Sequence, residues 1–320
     1  MSAKVTGYEG SVVDVFIGKY VDYMGLTFEV ESVGLKAFVG SDVKTATVMV
    51  DVEPYAFAKT PLKVLRLEGE IDVGKSAFTG CNKLVNVYVS DEVKSIGVNA
   101  FAGCTFVDEN GDPIDATLDN LAGHKFTGNY KALKMYVPAL YSKFIVDGII
   151  YKVSSVEDKQ VVVKGVVTGV TNLDIVPEVE YLGYTWTVTK VSNKAFYDND
   201  TIRDVYVQGV NIGMKSFAKC DNLRIVSLED VTTVGKYAFA SSCIEALWCD
   251  VMALSNSAFS AAKLMEVGFG SGLESIGTNA FYGNQFYDFD KNLIDIAPEN
   301  LAGNSFEGSD GALYQIVTEK

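Results

Sequence analysis

Short bursts of alternating apolar and polar residues return at a steady interval along this chain. Each burst follows a small residue and a Phe. The pair stands at Ala37-Phe38, Ala56-Phe57, Ala77-Phe78 and Ala100-Phe101, then at Ala195-Phe196, Ser216-Phe217, Ala238-Phe239, Ala258-Phe259 and Ala280-Phe281. The Phe spacings are 19, 21 and 23 residues in the first set and 21, 22, 20 and 22 in the second. Half of the 18 Phe therefore sit on one narrow period. After the Phe come apolar triplets such as Leu84/Val87/Val89, Ile202/Val205/Val207 and Leu223/Val226/Leu228. Four shorter turns carry Val43/Ala46/Val48, Leu62/Leu65/Leu67, Ile244/Leu247/Cys249 and Leu264/Val267/Phe269. Period-2 alternation rich in β-branched and aromatic residues predicts a short strand with one buried face. Four residues before the Phe stands Gly34, Gly74, Gly97, Gly213, Gly235 or Gly277 in six copies. That stretch predicts a tight corner, helical or 3₁₀, where Gly supplies positive φ or a close backbone approach.

A unit this short cannot bury its own apolar face, whereas stacked units cover one another. The expected object is a repeat solenoid with parallel strands in register and the Phe, Val/Leu and Ile-before-Gly ladders pointing inward. A longer period overlies the short one. Tyr23-x-Gly25-x-Thr27-Phe28-x-Val30 matches Tyr181-x-Gly183-x-Thr185-Trp186-x-Val188 at an offset of 158, and Phe106–Val137 matches Phe286–Val317 at an offset of 180. The difference is one extra turn. Two tandem units are expected, residues 1–140 and 141–320, each closing in a non-repeat module that caps the last turn. Phe144–Val153 forms a hairpin-like lead to the second unit with no counterpart in the first. This suggests a first unit truncated at its N-terminus, within a longer parent or a trimmed chain; a native start with a degenerate first unit is the alternative.

The unit Ser95-Ile96-Gly97-Val98-Asn99-Ala100-Phe101-Ala102-Gly103-Cys104 resembles the BspA-like leucine-rich repeat of bacterial, archaeal and protist surface proteins. So do Phe78-x-x-Cys81-x-x-Leu84 and Phe217-x-x-Cys220-x-x-Leu223. The resemblance spans about residues 30–106 and 188–286. Ser90, Gln208 and Glu229 replace the Pro that usually follows the strand, so the turn chemistry has drifted. The resemblance implies a leucine-rich-repeat, horseshoe-like fold, rich in β structure and α/β by convention. It further implies adhesion or protein binding outside the cell, and it brings no catalytic residues and no cofactor.

Charge narrows the partners. Lys and Arg number 27 against 41 Asp and Glu, a net charge of −14. Nucleic acid and anionic membranes call for clustered cations, so the acidic balance argues against both. One His, His124, leaves no multi-His metal site. It stands where the second unit has Asn304, an exchange that suits a polar surface or turn position. No phosphate loop, Cys-x-x-Cys, His-Glu-x-x-His or Gly-x-Ser-x-Gly occurs, and no apolar run is long enough to span a membrane. The first residues carry no basic and apolar leader, which on a trimmed chain says nothing of location.

The remaining candidates each carry a bland and a sharp reading. Cys81, Cys104, Cys220, Cys243 and Cys249 fall in or beside ladder positions. They suit small buried residues, with disulfides as the alternative in an extracellular protein. Asp108, Asn110 and Asp112, with Asp288, Asp290 and Asn292 in the second copy, approach calcium-loop spacing. Pro113 and Leu293 stand where such a loop needs Gly, and acidic hairpin turns account for them equally. The most informative set is the outward row of the strands: Thr47, Arg66, Tyr88, Tyr206, Ser227, Trp248 and Gly268. Aromatics with Arg are the usual anchors of interfaces, and Asn86, Asp204 and Glu245 would rim them. Strand propensity alone also favours Tyr and Trp. The expected function is a non-enzymatic cell-surface module binding a protein or glycan ligand. A spacer that self-associates end to end and a calcium-dependent binder are the alternatives.

Overall fold

The computed structural model describes residues 1–129 and 131–316. Val317, the expected partner of Val137, and the rest of 317–320 lie outside the described residues. Contacts divide the chain into two compact units. One comprises Met1–Val137 and Tyr181–Gly183, the other Pro138–Glu180 and Tyr184–Lys320.

In the first unit the strands Asp14–Ile17, Thr45–Val48, Val64–Leu67 and Asn86–Val89 stack in parallel. Val15, Ala46, Leu65 and Val87 share one inward row, and Ile17, Val48, Leu67 and Val89 the next. A second run of parallel strands, Ser2–Val5, Leu26–Val33, Asp51–Val52, Asp72–Val73 and Ser95–Ile96, follows the other side of each turn. The second unit repeats this with Asn172–Ile175, Asp204–Gln208, Ile225–Val234, Ala246–Leu254 and Glu266–Phe269. Every residue of the seven expected triplets is buried, none more than 3% exposed. Each unit also holds a strand upstream of its first Phe, Asp14–Ile17 or Asn172–Ile175. The periodicity missed these two because no Ala-Phe corner precedes them.

Between the two runs the Phe rings form a ladder. Phe38, Phe57, Phe78 and Phe101 stack with centroids 4.8, 5.4 and 5.3 Å apart. Phe196, Phe217, Phe239, Phe259 and Phe281 stack at 4.7, 4.9, 5.0 and 5.5 Å. Burying a Phe contributes roughly 1.5–3 kcal/mol, and ring contact adds to it. The final rung is closed by rings set edge-on, Phe106 against Phe101 and Phe286 against Phe281. Past that rung the chain makes one four-residue helix, Leu118–Leu121 or Pro298–Leu301. It then returns antiparallel along the last strand, as Lys125–Gly128 on Asn86–Val89 or Ser305–Ser309 on Glu266–Phe269.

The corners explain the spacing of Gly. A Cβ on Gly235 would lie 2.7 Å from the Gly213 carbonyl carbon and the Ile212 oxygen. Gly74 meets Val52 in the same way. Neither glycine has positive φ, so of the two reasons for Gly, close approach is the operative one. Positive φ falls instead on the residue two before each Phe. Lys36, Tyr55, Ser76, Asn99, Lys194, Lys215, Tyr237, Ser257 and Asn279 all adopt it, none of them Gly. A left-handed conformation costs a non-Gly residue roughly 1–2 kcal/mol. What it gains is orientation of backbone donors. The N–H groups of Tyr55, Phe57 and Lys59 donate to Lys75, Ala77 and Thr79 of the next turn, at 3.2, 2.9 and 2.8 Å. A corner with a turn ahead of it thus hydrogen-bonds to that turn as a strand would, which satisfies these donors.

Candidate functional site

The strand pleat sends the residues between the inward rows to the surface. In the first unit Phe16, Thr47, Arg66 and Tyr88 stand in register on adjacent strands, and Lys125 of the returning strand is paired with Tyr88. The Arg66 guanidinium lies 5.0 Å from the centre of the Tyr88 ring, and its Nε is 2.7 Å from Glu68 Oε1. Burial, then the charge of Asp91, pushes the Tyr88 phenol up from its ordinary pKa. Asn86 is half-buried at the start of the same strand. Phe16, 73% exposed, joins this row. It belongs to the strand that lacked a Phe corner, so no repeat signal pointed to it.

In the second unit the row is Asp174, Tyr206, Ser227, Trp248 and Gly268. Tyr206 donates its hydroxyl hydrogen bond to Glu229. The adjacent carboxylate holds the phenol up at about 12. Asp204 is half-buried on the Tyr206 strand, and its buried Oδ1 has no hydrogen-bond partner among the described residues. Trp248 is 49% exposed. Gly268 occupies an outward position but is buried, because the Trp248 ring lies over it where a Cβ would stand. Beside that ring runs a groove of ≈ 330 Å³ whose lining includes Ile225, Ser227, Glu266 and Ser305. The structure therefore sets Arg66 beside Tyr88 on one unit, with Asn86 on the Tyr88 strand, and places Tyr206 and Asp204 on one strand of the other, with the Ser227 strand between Tyr206 and Trp248.

The other candidates lie off the outward rows. All five Cys are free thiols. Cys81 and Cys220 donate to the carbonyls of Phe57 and Phe196 one turn back, both at 3.1 Å. Burial pushes Cys104 and Cys220 up to about 12, so these thiols are poor nucleophiles at neutral pH. Asp108 Oδ1 accepts the backbone N–H groups of Asn110, Gly111 and Asp112 at 2.8, 2.8 and 2.9 Å. Those bonds hold its carboxyl below the ordinary range. Asp288 accepts both the backbone and the side-chain amide of Asn292, at 2.8 and 3.0 Å. Asn110, Asp112 and Asp290 are exposed in the same two loops. Among the described residues no three His, Cys, Asp or Glu gather as a metal site. His124 is half-buried beside Phe126, and burial lowers its pKa.

Short parallel strands stacked one per turn, each burying one aliphatic row, with a Phe at every corner, define a leucine-rich-repeat protein. The chain belongs to the BspA type leucine rich repeat family, whose model matches in six copies over residues 14–129 and 178–288. Among solved structures it is similar to a leucine rich cell surface protein from Faecalibacterium prausnitzii, at 15% identity over 88% of each chain with a TM-score of 0.35. It is also similar to a leucine-rich repeat protein from Bacteroides ovatus, at 17% identity over 90% of each chain and a TM-score of 0.31. The pneumococcal vaccine antigen PcpA is a third, at 14% identity over 90% of this chain and 80% of that one, with a TM-score of 0.33. A search of curated proteins found no match. No helix among the described residues is long and apolar enough to cross a membrane.

Proposed function

We propose that the chain is a non-enzymatic module for adhesion at the cell surface, taking a protein or glycan ligand on the outward strand rows. The observation that carries this reading is Trp248, half-exposed over Gly268 beside an open groove. A large ring held at the surface by its own scaffold is an anchor whose ordering cost is already met. Arg66 over Tyr88 offers a second preformed element, with Asn86 and Asp204 as polar flanks. The two repeat units, taken as residues 1–140 and 141–320, would each contribute one row. An extracellular home follows from the same reading. The test is a screen of glycans and extracellular-matrix proteins with the intact chain and a Tyr88→Ala/Tyr206→Ala/Trp248→Ala variant. Ligands that the variant loses while keeping its melting temperature support the reading. Ligands retained at full affinity by a folded variant remove the face assignment.

One observation favours a second reading, an end-to-end spacer. In the last corner of the second unit the N–H groups of Asn279, Phe281 and Gly283 have no partner among the described residues, although the matching donors of that unit's earlier corners are paired. Sedimentation at rising concentration separates the readings, since only stacking predicts growing oligomers.

A further inference from the structure

The corners of the second unit carry a charge pattern opposite to that of the chain. From three residues before to two after the Phe, the five corners hold Lys194, Lys215, Lys219 and Lys236 against one acid, Asp198. The whole chain has 41 acids to 27 bases. Among the described residues none of these four lysines belongs to an ion pair within 4.0 Å. Lys194 and Lys215 occupy the same position in consecutive turns, about 4.8 Å apart along the stack. The Lys215 N–H bonds to the Lys236 carbonyl of the turn after, at 3.1 Å. Like charges set side by side on neighbouring segments destabilise a sheet; Lys219 has Asp198 at the matching position of the preceding turn, while Lys194 and Lys215 face each other and suit an external counter-charge.

Two rings are set among the lysines. Lys194 and Lys219 lie 5.8 Å from the centre of the Tyr197 ring. Lys215 and Lys236 lie 5.5 and 5.2 Å from that of Tyr237. Tyr197 is 38% exposed. The backbone beneath is fixed, because Lys194, Lys215, Lys219 and Tyr237 all hold positive φ and donate to the following turn.

We propose that this Lys–Tyr ridge binds an anionic polysaccharide. The ammonium groups take its carboxylates or sulfates, and the two phenol rings take the apolar faces of its sugars. The ridge lies on the corners and is separate from the outward strand rows. An acidic peptide would use the ammonium groups but leave the rings idle, and the interleaving of both favours the glycan.

The test uses the intact chain on immobilised heparin at about 150 mM salt, with poly-glutamate and oligo-dT in parallel. The Lys194→Gln/Lys215→Gln/Lys219→Gln/Lys236→Gln variant is expected to bind heparin roughly tenfold or more weakly, through loss of counter-ion release. A control losing the same charge at the exposed Lys63, Lys83, Lys134 and Lys263 is expected to change binding less than about twofold. Tyr197→Leu/Tyr237→Leu is expected to weaken heparin and leave any poly-glutamate binding unchanged. Lys194, Lys219 and Lys236 are exposed and Lys215 and Tyr237 half-buried; none is a ladder residue, and thermal melts check that the ladder stays intact. The proposal is overturned by equal losses in the two Lys variants, by no heparin binding, or by poly-glutamate or oligo-dT binding as tightly through the same lysines.

Discussion

The two units carry the same inward row and different outward ones. Inward, Val15, Ala46, Leu65 and Val87 end against Phe126, while Leu173, Val205, Val226, Leu247 and Val267 end against Phe306. Outward, Phe16, Thr47, Arg66 and Tyr88, closed by Lys125, stand against Asp174, Tyr206, Ser227, Trp248 and Gly268, closed by Ser305, with no shared character. Close packing explains the first fact: a methylene too many or too few is felt inside a dense stack. The pleat explains the second, since outward positions touch only their lateral neighbours and can be rewritten singly. A scaffold of this kind separates what holds it together from what it displays.

That separation can be broken most directly by truncating one inward and one outward ring of the same unit. Phe239, fully buried between Phe217 and Phe259, should cost about 3–5 kcal/mol as Phe239→Ala. Trp248→Ala should cost about 1 kcal/mol or less. Urea denaturation of the two variants measures the gap, and similar losses would erase the distinction. A finer cut compares two glycines. Gly235→Ala puts a methyl against neighbouring backbone and should destabilise by about 1–3 kcal/mol. Gly268→Ala meets side chains rather than backbone, the Trp248 ring and, at 3.3 Å, the Ser305 hydroxyl, so it should shift Trp fluorescence with a smaller change in melting temperature than Gly235→Ala.

Smaller still is the effect at a corner. Ala261 holds φ 58 at the surface, and Ala261→Gly relieves that strain against a larger unfolded-state entropy. A net gain of about 0.5–1 kcal/mol is expected in thermal melts. The smallest perturbation is a proton. Tyr206 should titrate at about 12 rather than its ordinary 10.0, and Glu229→Gln should bring it back down, as ultraviolet titration reports. Because the folded value is the higher one, any stability it adds is present below the ordinary value and lost as pH rises toward 12.

The inward half of the molecule was legible in the chain because packing repeats. Leu84, Val87 and Val89 sit at fixed distances from Phe78, and each is buried. Gly97 and Gly277 announce the corners for the same reason. Less visible were the left-handed residues, since Lys215, Tyr237 and Asn279 share no side-chain property. At Lys215 and Tyr237 the conformation goes with hydrogen bonds to the next turn; Asn279, in a last corner without such a bond, is of a type that tolerates it locally. The strands Asp14–Ile17 and Asn172–Ile175 were hidden by the missing Phe, and Phe16 with them. Nor does the alternation say that the Trp248 ring would fold down onto Gly268, which depends on a neighbour's lacking a side chain. The Lys–Tyr ridge needs the corners aligned before its residues, spread from Lys194 to Lys236, become neighbours.

The corner hydrogen bonds also bear on how such a chain can change length. Each interior corner donates forward and accepts from behind, so one interior turn presents the same two sides as another. A duplicated turn inserted within the stack finds its acceptors ahead and its donors behind already in place, and the terminal modules need no redesign. Four corners in one unit and five in the other are then two lengths of one growth rule. Ancestral gain or loss of a whole turn would move the display surface by one step while leaving every interior contact of the same kind.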